Sequence, residues 1–350
     1  MNAEKALVSV IIPAFNAETH IRQALSSVLA QTYQQIEVIV VDDGSSDATS
    51  TIVEKFARKD GRVQLVRQSN AGVGAARNAA IRAARGKYIA PLDADDFWFP
   101  EKLAKQVTCI EQSGADTSLV YCWSTLTDKD GELVDSNAAC TYEGRLRHVL
   151  VLINVLGNAS VPLFRAAALE KVGLYLTRAE QGGAQGCEDW DLALRVAEVC
   201  SVRIVPEHLV AYRQNGSSMS VNAEGMAASY RITMNRARQR NCDLPSATFR
   251  WSAGYFYLYL ADKCHDWSRY SECLSFLKKA VRANPVLLLN AGIYKKSVQA
   301  TLRINTGSTV KTKKAADFHS KKRKKRPSVL NVPFRHLELA RWSAALHDGA

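Results

Sequence analysis

The chain has 350 residues, 47% of them hydrophobic, which suffices for one large globular domain or two smaller ones with ordinary cores. Its eight cysteines form no C-x-x-C pair and no paired spacing that suggests a zinc site, and a reduced, cytoplasmic setting is expected. No apolar run approaches the ~20 residues of a membrane-spanning helix, and the first residues, MNAEKALVSV, lack the basic flank and apolar core of a secretory signal. The net charge of +12 is uneven: residues 1–225 hold 22 basic and 27 acidic side chains, residues 226–350 hold 24 and 7. An acidic-to-neutral body therefore precedes a basic segment suited to an anionic surface.

In chain order, the β-branched run Val8 to Ile12 predicts a strand, and Ile21, Leu25, Val28 and Leu29 make the apolar stripe of a helix. Ile36 to Val41 is continuous enough to be a parallel strand covered on both faces. Asp47 is the expected N-cap of a helix through Lys59. Val63 to Val66, Gly74 to Arg85, Tyr88 to Leu92 and Pro100 to Gln112 continue the alternation as strand, helix, strand and helix. Four β-α units in series predict an α/β fold with a mainly parallel, doubly wound sheet. Leu119 to Trp123 is a fifth strand, residues 127–144 a connecting or lid region, residues 177–187 a flexible loop, and Glu188 to Val199 a helix. From Tyr230 onward the pattern is helical, with a tetratricopeptide-like pair over Ala253 to Pro285. The expected division is 1–225, a helical region 226–305, and a basic, disordered tail 306–350 that contains KKRKKR at 321–326.

The densest chemical signal is YIAPLDADDFW at 88–98, where Asp93, Asp95 and Asp96 follow an apolar strand. Ligands of open α/β sheets bind at that carboxyl end, and clustered carboxylates are tolerated where Mg²⁺ or Mn²⁺ neutralises them, completed by substrate phosphates. A solvated acidic turn is the alternative. Gly72-Val73-Gly74 is weak as a dinucleotide fingerprint, because no third glycine follows and the segment lies after the third strand rather than the first.

Taken jointly, VSVIIPAFN (8–16), VVDDGSSDAT (40–49), NAGVGAARNAAIRAARGKYIAPLDADD (70–96) and CEDWDL (187–192) resemble the family 2 glycosyltransferases over residues 7–225. The resemblance implies the GT-A fold, a nucleotide-diphosphate-sugar donor with a UDP-sugar foremost, and a divalent cation. It places Pro13, Phe15 and Asn16 at the nucleotide, although Asn16 could instead cap a helix. Asp43 aligns with the residue that accepts the base imide N–H, and Arg77 is a candidate contact to base or phosphate. Asp95 is the foremost metal ligand; Asp93 joins it or holds ribose and sugar hydroxyls, and Asp96 binds the donor sugar or caps the turn. Asp189 corresponds to the general base and Glu188 to a residue orienting the acceptor, for a single displacement with inversion. Arg213, in a loop that includes GSSMS at 216–220, is expected at the diphosphate, the more so because Asn215 stands where many members carry histidine.

The string Glu338 to Trp342 lacks the glutamine of the family's Q-x-x-R-W, so transfer of one sugar is expected rather than polymerisation. The acceptor class is a glycan or a lipid-linked molecule, and the basic C-terminal region is expected to meet an anionic membrane at the inner face of the cell. Nucleic acid is disfavoured, because no stacking aromatics interleave the basic run. The competing reading is an inactive GT-A domain that binds nucleotide sugars or acts as a scaffold.

Overall fold

Runs such as VIVV have no polar face to turn to water, so they must be covered on both sides, and they form interior strands of the sheet. The structure, a computed structural model, describes residues 5–136, 140–214 and 222–305. Strands β1 (Val8–Ala14), β2 (Ile36–Asp42), β3 (Val63–Arg67) and β4 (Tyr88–Pro91) lie in the order β3-β2-β1-β4, all parallel. Every residue of β1 and β2 is buried. The crossovers are α1 (Ile21–Leu29), α2 (Thr49–Lys59) and α3 (Val73–Ala83), and α1 buries Ile21, Ala24, Leu25 and Val28 at helical spacing. Register brings Ala14 beside Asp42 and Asp42 beside Arg67, so the carboxyl ends of these strands form one edge.

Beyond β4 the sheet turns mixed. Element β5 (Phe97–Trp98) is followed by α4 (Lys102–Gln112), β6 (Thr117–Thr127), β7 (Leu133–Ser136), α5 (Arg147–Leu152), β8 (Leu163–Arg165), α6 (Ala166–Val172), α7 (Glu188–Val199) and β9 (Ser201–Arg213). The sheet continues as β4-β8-β6-β9-β5, with β7 on β6; β8 is antiparallel to β4 and β6, β9 is parallel to β6, and β5 is antiparallel to β9. The expected lid at 127–144 thus includes a strand, and Tyr212 and Arg213 end a strand rather than standing in a loop. Apolar runs identify strands but do not encode their direction.

The described residues fall in two compact units, one drawn from Met1–Arg147 and Val155–Gln214, the other from His148–Asn154 and Asn215–Ala350. In the second, α8 (Ala223–Arg240), α9 (Ser246–Asp266) and α10 (Tyr270–Ala283) are followed by a 3-10 turn (Pro285–Leu289) and α11 (Ala291–Asn305). Tyr230 stacks on Phe256 at 4.2 Å and its hydroxyl donates to Ser252 Oγ at 2.8 Å, while the Tyr257 and Phe276 rings join α9 to α10.

The two glycines that resemble a dinucleotide fingerprint serve packing. Gly72 holds φ +92°, a region that L side chains rarely adopt, and a Cβ on Gly74 would lie 2.2 Å from the Leu176 carbonyl oxygen. Gly74→Ala is expected to lower unfolding free energy by about 2 kcal/mol. An unchanged urea midpoint would show that the 176–177 backbone yields freely.

Candidate active site

The first acids of the edge are bound up in local structure. Asp42 accepts the Ser45 amide at 2.9 Å and the Ser50 hydroxyl. Asp43, also buried, accepts the amides of Ala71 and Gly72, each at 2.8 Å, and the Gln68 side-chain amide at 2.7 Å. A carboxylate has about four acceptor positions, so Asp43 keeps roughly one for a base while holding the loop after β3 in place. Asn16 does not cap α1: at φ +47° its side-chain oxygen accepts the Ser46 amide at 2.9 Å, and its own amide donates to Ser45 Oγ at 2.9 Å. The N-cap of α2 is Ala48, one residue after the expected Asp47, whose carboxylate accepts the Thr49 and Glu18 amides. Pro13 is buried in β1, whereas Phe15, 52% exposed, presents a free aromatic face beside these loops.

A buried arginine is the hub of the second cluster. Arg77, 1% exposed, reaches from α3 to donate to Asp93 Oδ1 at 2.5 Å and to Glu188 Oε1 at 3.2 Å, and its guanidinium lies 5.1 Å from the Tyr175 ring centroid. Burial alone would favour loss of its proton, but Asp93, Tyr175 and Glu188 together hold it more firmly protonated than usual. Glu188 is likewise buried, and its second oxygen accepts the Gly186 amide at 2.8 Å. Each Glu188 oxygen thus holds one partner, and the residue ties Arg77 to the loop before α7. Asp189, the next residue, is partly exposed. Burial and the neighbouring Glu188 push its carboxyl up to about 7, against the opposing pull of Arg77. Such a pKa suits a group that exchanges protons near neutral pH.

Two residues expected at the donor, Asp96 and Arg213, are buried and hold internal partners. Asp96 is buried, accepting Ser160 Oγ at 2.6 Å and the Arg213 amide at 2.9 Å. Burial, then Asp95 and Asp93, raise its pKa well above the ordinary carboxylate range, opposed by those two hydrogen bonds. The Arg213 guanidinium donates to the carbonyls of Asp95, Asp128 and Lys129 at 2.8, 3.1 and 2.6 Å and to Gln23 Oε1 at 2.5 Å, so it lacks the free fork that a diphosphate requires. It ties the Asp95 turn to the segment after β6. Arg77, expected at base or phosphate, links Asp93 to Glu188. Asn215 and the 216–220 segment lie outside the described residues.

Sequence reading missed Ser160, which accepts the Asp93 amide at 3.0 Å while donating to Asp96, and Tyr175 beneath Arg77. Both stand in stretches without clustered polar residues; only their position in three dimensions reveals them.

Among the described residues, no three Cys, His, Asp or Glu side chains gather as a metal site. Asp93 and Asp95 are the partly exposed acids of the cluster. Mg²⁺ and Mn²⁺ commonly take one or two carboxylates and fill the remainder with substrate phosphates, so this donor set fits a cation that arrives with its ligand.

Comparison with known proteins gives a consistent picture. Residues 9–151 match the model described as glycosyl transferase family 2. The chain is 40% identical over 141 residues to the putative glycosyltransferase EpsH of Bacillus subtilis, a match covering 40% of each chain. It is 29% identical over 232 residues to the uncharacterized glycosyltransferase RP339 of Rickettsia prowazekii, covering 65% of this chain and 70% of that one. With the putative teichuronic acid biosynthesis glycosyltransferase TuaG of Bacillus subtilis, identity is 37% over 153 residues, or 42% of this chain and 60% of TuaG. Among solved structures, the mannosyltransferase PcManGT of Pyrobaculum calidifontis in complex with GDP-Man and Mn²⁺ superposes with a TM-score of 0.54 at 18% identity, covering 87% of both chains. Staphylococcus aureus TarS 1-349 in complex with UDP-GlcNAc gives 0.50 at 16% identity, covering 86% of this chain and 92% of TarS 1-349. At those identities the likeness is one of fold, GT-A.

Proposed function

We propose, from the match of residues 9–151 to the family 2 glycosyltransferase model, that the chain is a member of that family and moves one sugar, with inversion, from a nucleotide-diphosphate sugar to a hydroxyl of a glycan or lipid-linked acceptor. The observation that carries this reading is the Asp93–Arg77–Glu188 bridge, which fixes the D-x-D turn against the start of α7, where Asp189 stands partly exposed with a carboxyl poised near pH 7. Phe15 offers an aromatic face to the base, and the remaining acceptor position of Asp43 suits its imide N–H. Asp95, with Asp93, would hold the divalent cation and with it the donor's diphosphate. When bound, that cation would offset the negative charge gathering on the departing nucleoside diphosphate. Asp189 takes the proton of the acceptor hydroxyl as its oxygen attacks the anomeric carbon and the bond to diphosphate breaks. UDP-GlcNAc in TarS 1-349 and GDP-Man with Mn²⁺ in PcManGT indicate the donor class to try first.

Calorimetric titration of UDP- and GDP-sugars with and without Mn²⁺ tests the donor half. Wild type is expected to bind at least one donor more tightly with metal, and Asp95→Ala to lose at least tenfold in that metal-dependent part. Metal-enhanced binding retained by Asp95→Ala would remove Asp95 from the cation site.

A further inference from the structure

Most exposed large hydrophobic side chains of the described residues are gathered in one place. Of eleven such residues, seven lie between Val286 and Ile304, in the 3-10 turn and α11. Val286, Leu288 and Leu289 project from the turn, Leu289 with 87% of its surface open, while Leu287 between them is buried and anchors it. On α11, Ile293 and Ala300 face inward, and Lys296 pairs with Asp262 of α9. Tyr294, Val298 and Leu302, spaced four residues apart, form a second apolar stripe that points outward. The face that a surface helix turns to water is normally polar. Here it is apolar.

Charge selects what covers it. After Glu272 the sequence contains no acidic residue until Asp317, while nine lysines and arginines fall between them, and KKRKKR follows at 321–326. Lys278, Arg282, Lys295 and Arg303 are exposed on α10 and α11. A second copy of this face would meet like charge, and the chain beyond Asn305, with eleven basic and three acidic side chains, would repel it as well. A polyanion without an apolar phase, such as nucleic acid, would leave Leu289 and its neighbours in water. An anionic bilayer satisfies both features, because apolar side chains enter the acyl boundary while the basic ones stay with the headgroups.

We infer that the turn Pro285–Leu289 and the outer face of α11 form a docking surface for an anionic membrane, with the leucines as the inserted wedge. This surface stands independently of the transferase reading and would deliver such an enzyme to a lipid-linked acceptor.

The test is co-sedimentation of the full chain with vesicles of phosphatidylglycerol and phosphatidylcholine, or of phosphatidylcholine alone. Wild type is expected to bind the anionic vesicles only. The Leu288→Ser/Leu289→Ser/Leu302→Ser variant is expected to bind them at least tenfold more weakly at an unchanged melting temperature, and Lys278→Glu/Lys295→Glu to show a similar loss should the first variant fold poorly. Wild-type binding by a folded variant of either kind overturns the inference, as does equal binding of wild type to neutral vesicles. A wild-type dimer that becomes monomeric in the leucine variant with vesicle binding intact would make the face a contact between copies and would overturn it too. Donor titrations read the transferase site separately, so failure of one reading leaves the other standing.

Discussion

Asp189→Asn should bind nucleotide sugar as wild type does and transfer it about 10²–10⁴-fold more slowly, the range that a positioned general base supplies. The amide keeps the size and placement of the carboxyl at the start of α7 but cannot take the acceptor's proton. The pH dependence of wild type should carry the same signature. Asp189 is competent only when ionised, and burial with Glu188 raises its pKa to about 7. The kcat/KM of wild type should therefore climb through pH 7 to a plateau, and the residual rate of Asp189→Asn should lack that limb. The linked effect on folding has a definite sign. The native carboxyl holds its proton more tightly than the unfolded one, so this group's contribution to stability is fully present below the ordinary carboxylate range and is lost as pH rises towards 7. Asp95→Asn, which leaves the start of α7 untouched, should weaken donor binding without moving the limb.

Arg77→Ala has the largest expected effect on stability. It removes the guanidinium that joins Asp93 to Glu188 and leaves a buried carboxylate at Glu188 without that partner. Breaking a buried pair in this way costs about 3–5 kcal/mol, measurable as a drop in the urea midpoint. Arg77 also pulls the Asp189 pKa downward, so its loss should move the acid limb of kcat/KM to higher pH. Arg77→Lys keeps the charge but loses the planar fork that reaches two acids at once, and should fall between. A stable Arg77→Ala with an unmoved limb would mean that the bridge neither supports the fold nor tunes the base.

Much of this site is legible from local pattern, because four short segments each end a β-branched run or open a helix, and acids at such ends are conspicuous. Asp93, Asp95 and Asp189 could be singled out in that way. The roles of their neighbours depend on partners far along the chain. Asp96 resembles its two companions in sequence, yet Ser160 and the Arg213 amide draw it into the interior. Arg213, expected at the diphosphate, is held by the carbonyls of residues 95, 128 and 129. Glu188 and Asp189 are adjacent and acidic, and only the packing of Arg77 over Tyr175 separates the buried Glu188 from the partly exposed Asp189. In the fold, the parallel half follows from continuous apolar strands. The mixed half does not: β8 has three residues, and β9 is interrupted by Pro206 and charged positions, so its place between β6 and β5 rests on pairing distant in sequence.

The central claim is that this edge transfers sugar through Asp189, and the release of nucleoside diphosphate from a panel of nucleotide sugars, measured with Mn²⁺ and with wild type beside Asp189→Asn, tests it most directly. The account predicts slow release from at least one donor by wild type and strongly reduced release by the variant, with donor binding equal in both. Intact donor binding without turnover of any sugar by wild type, or equal turnover by the two proteins, would contradict it.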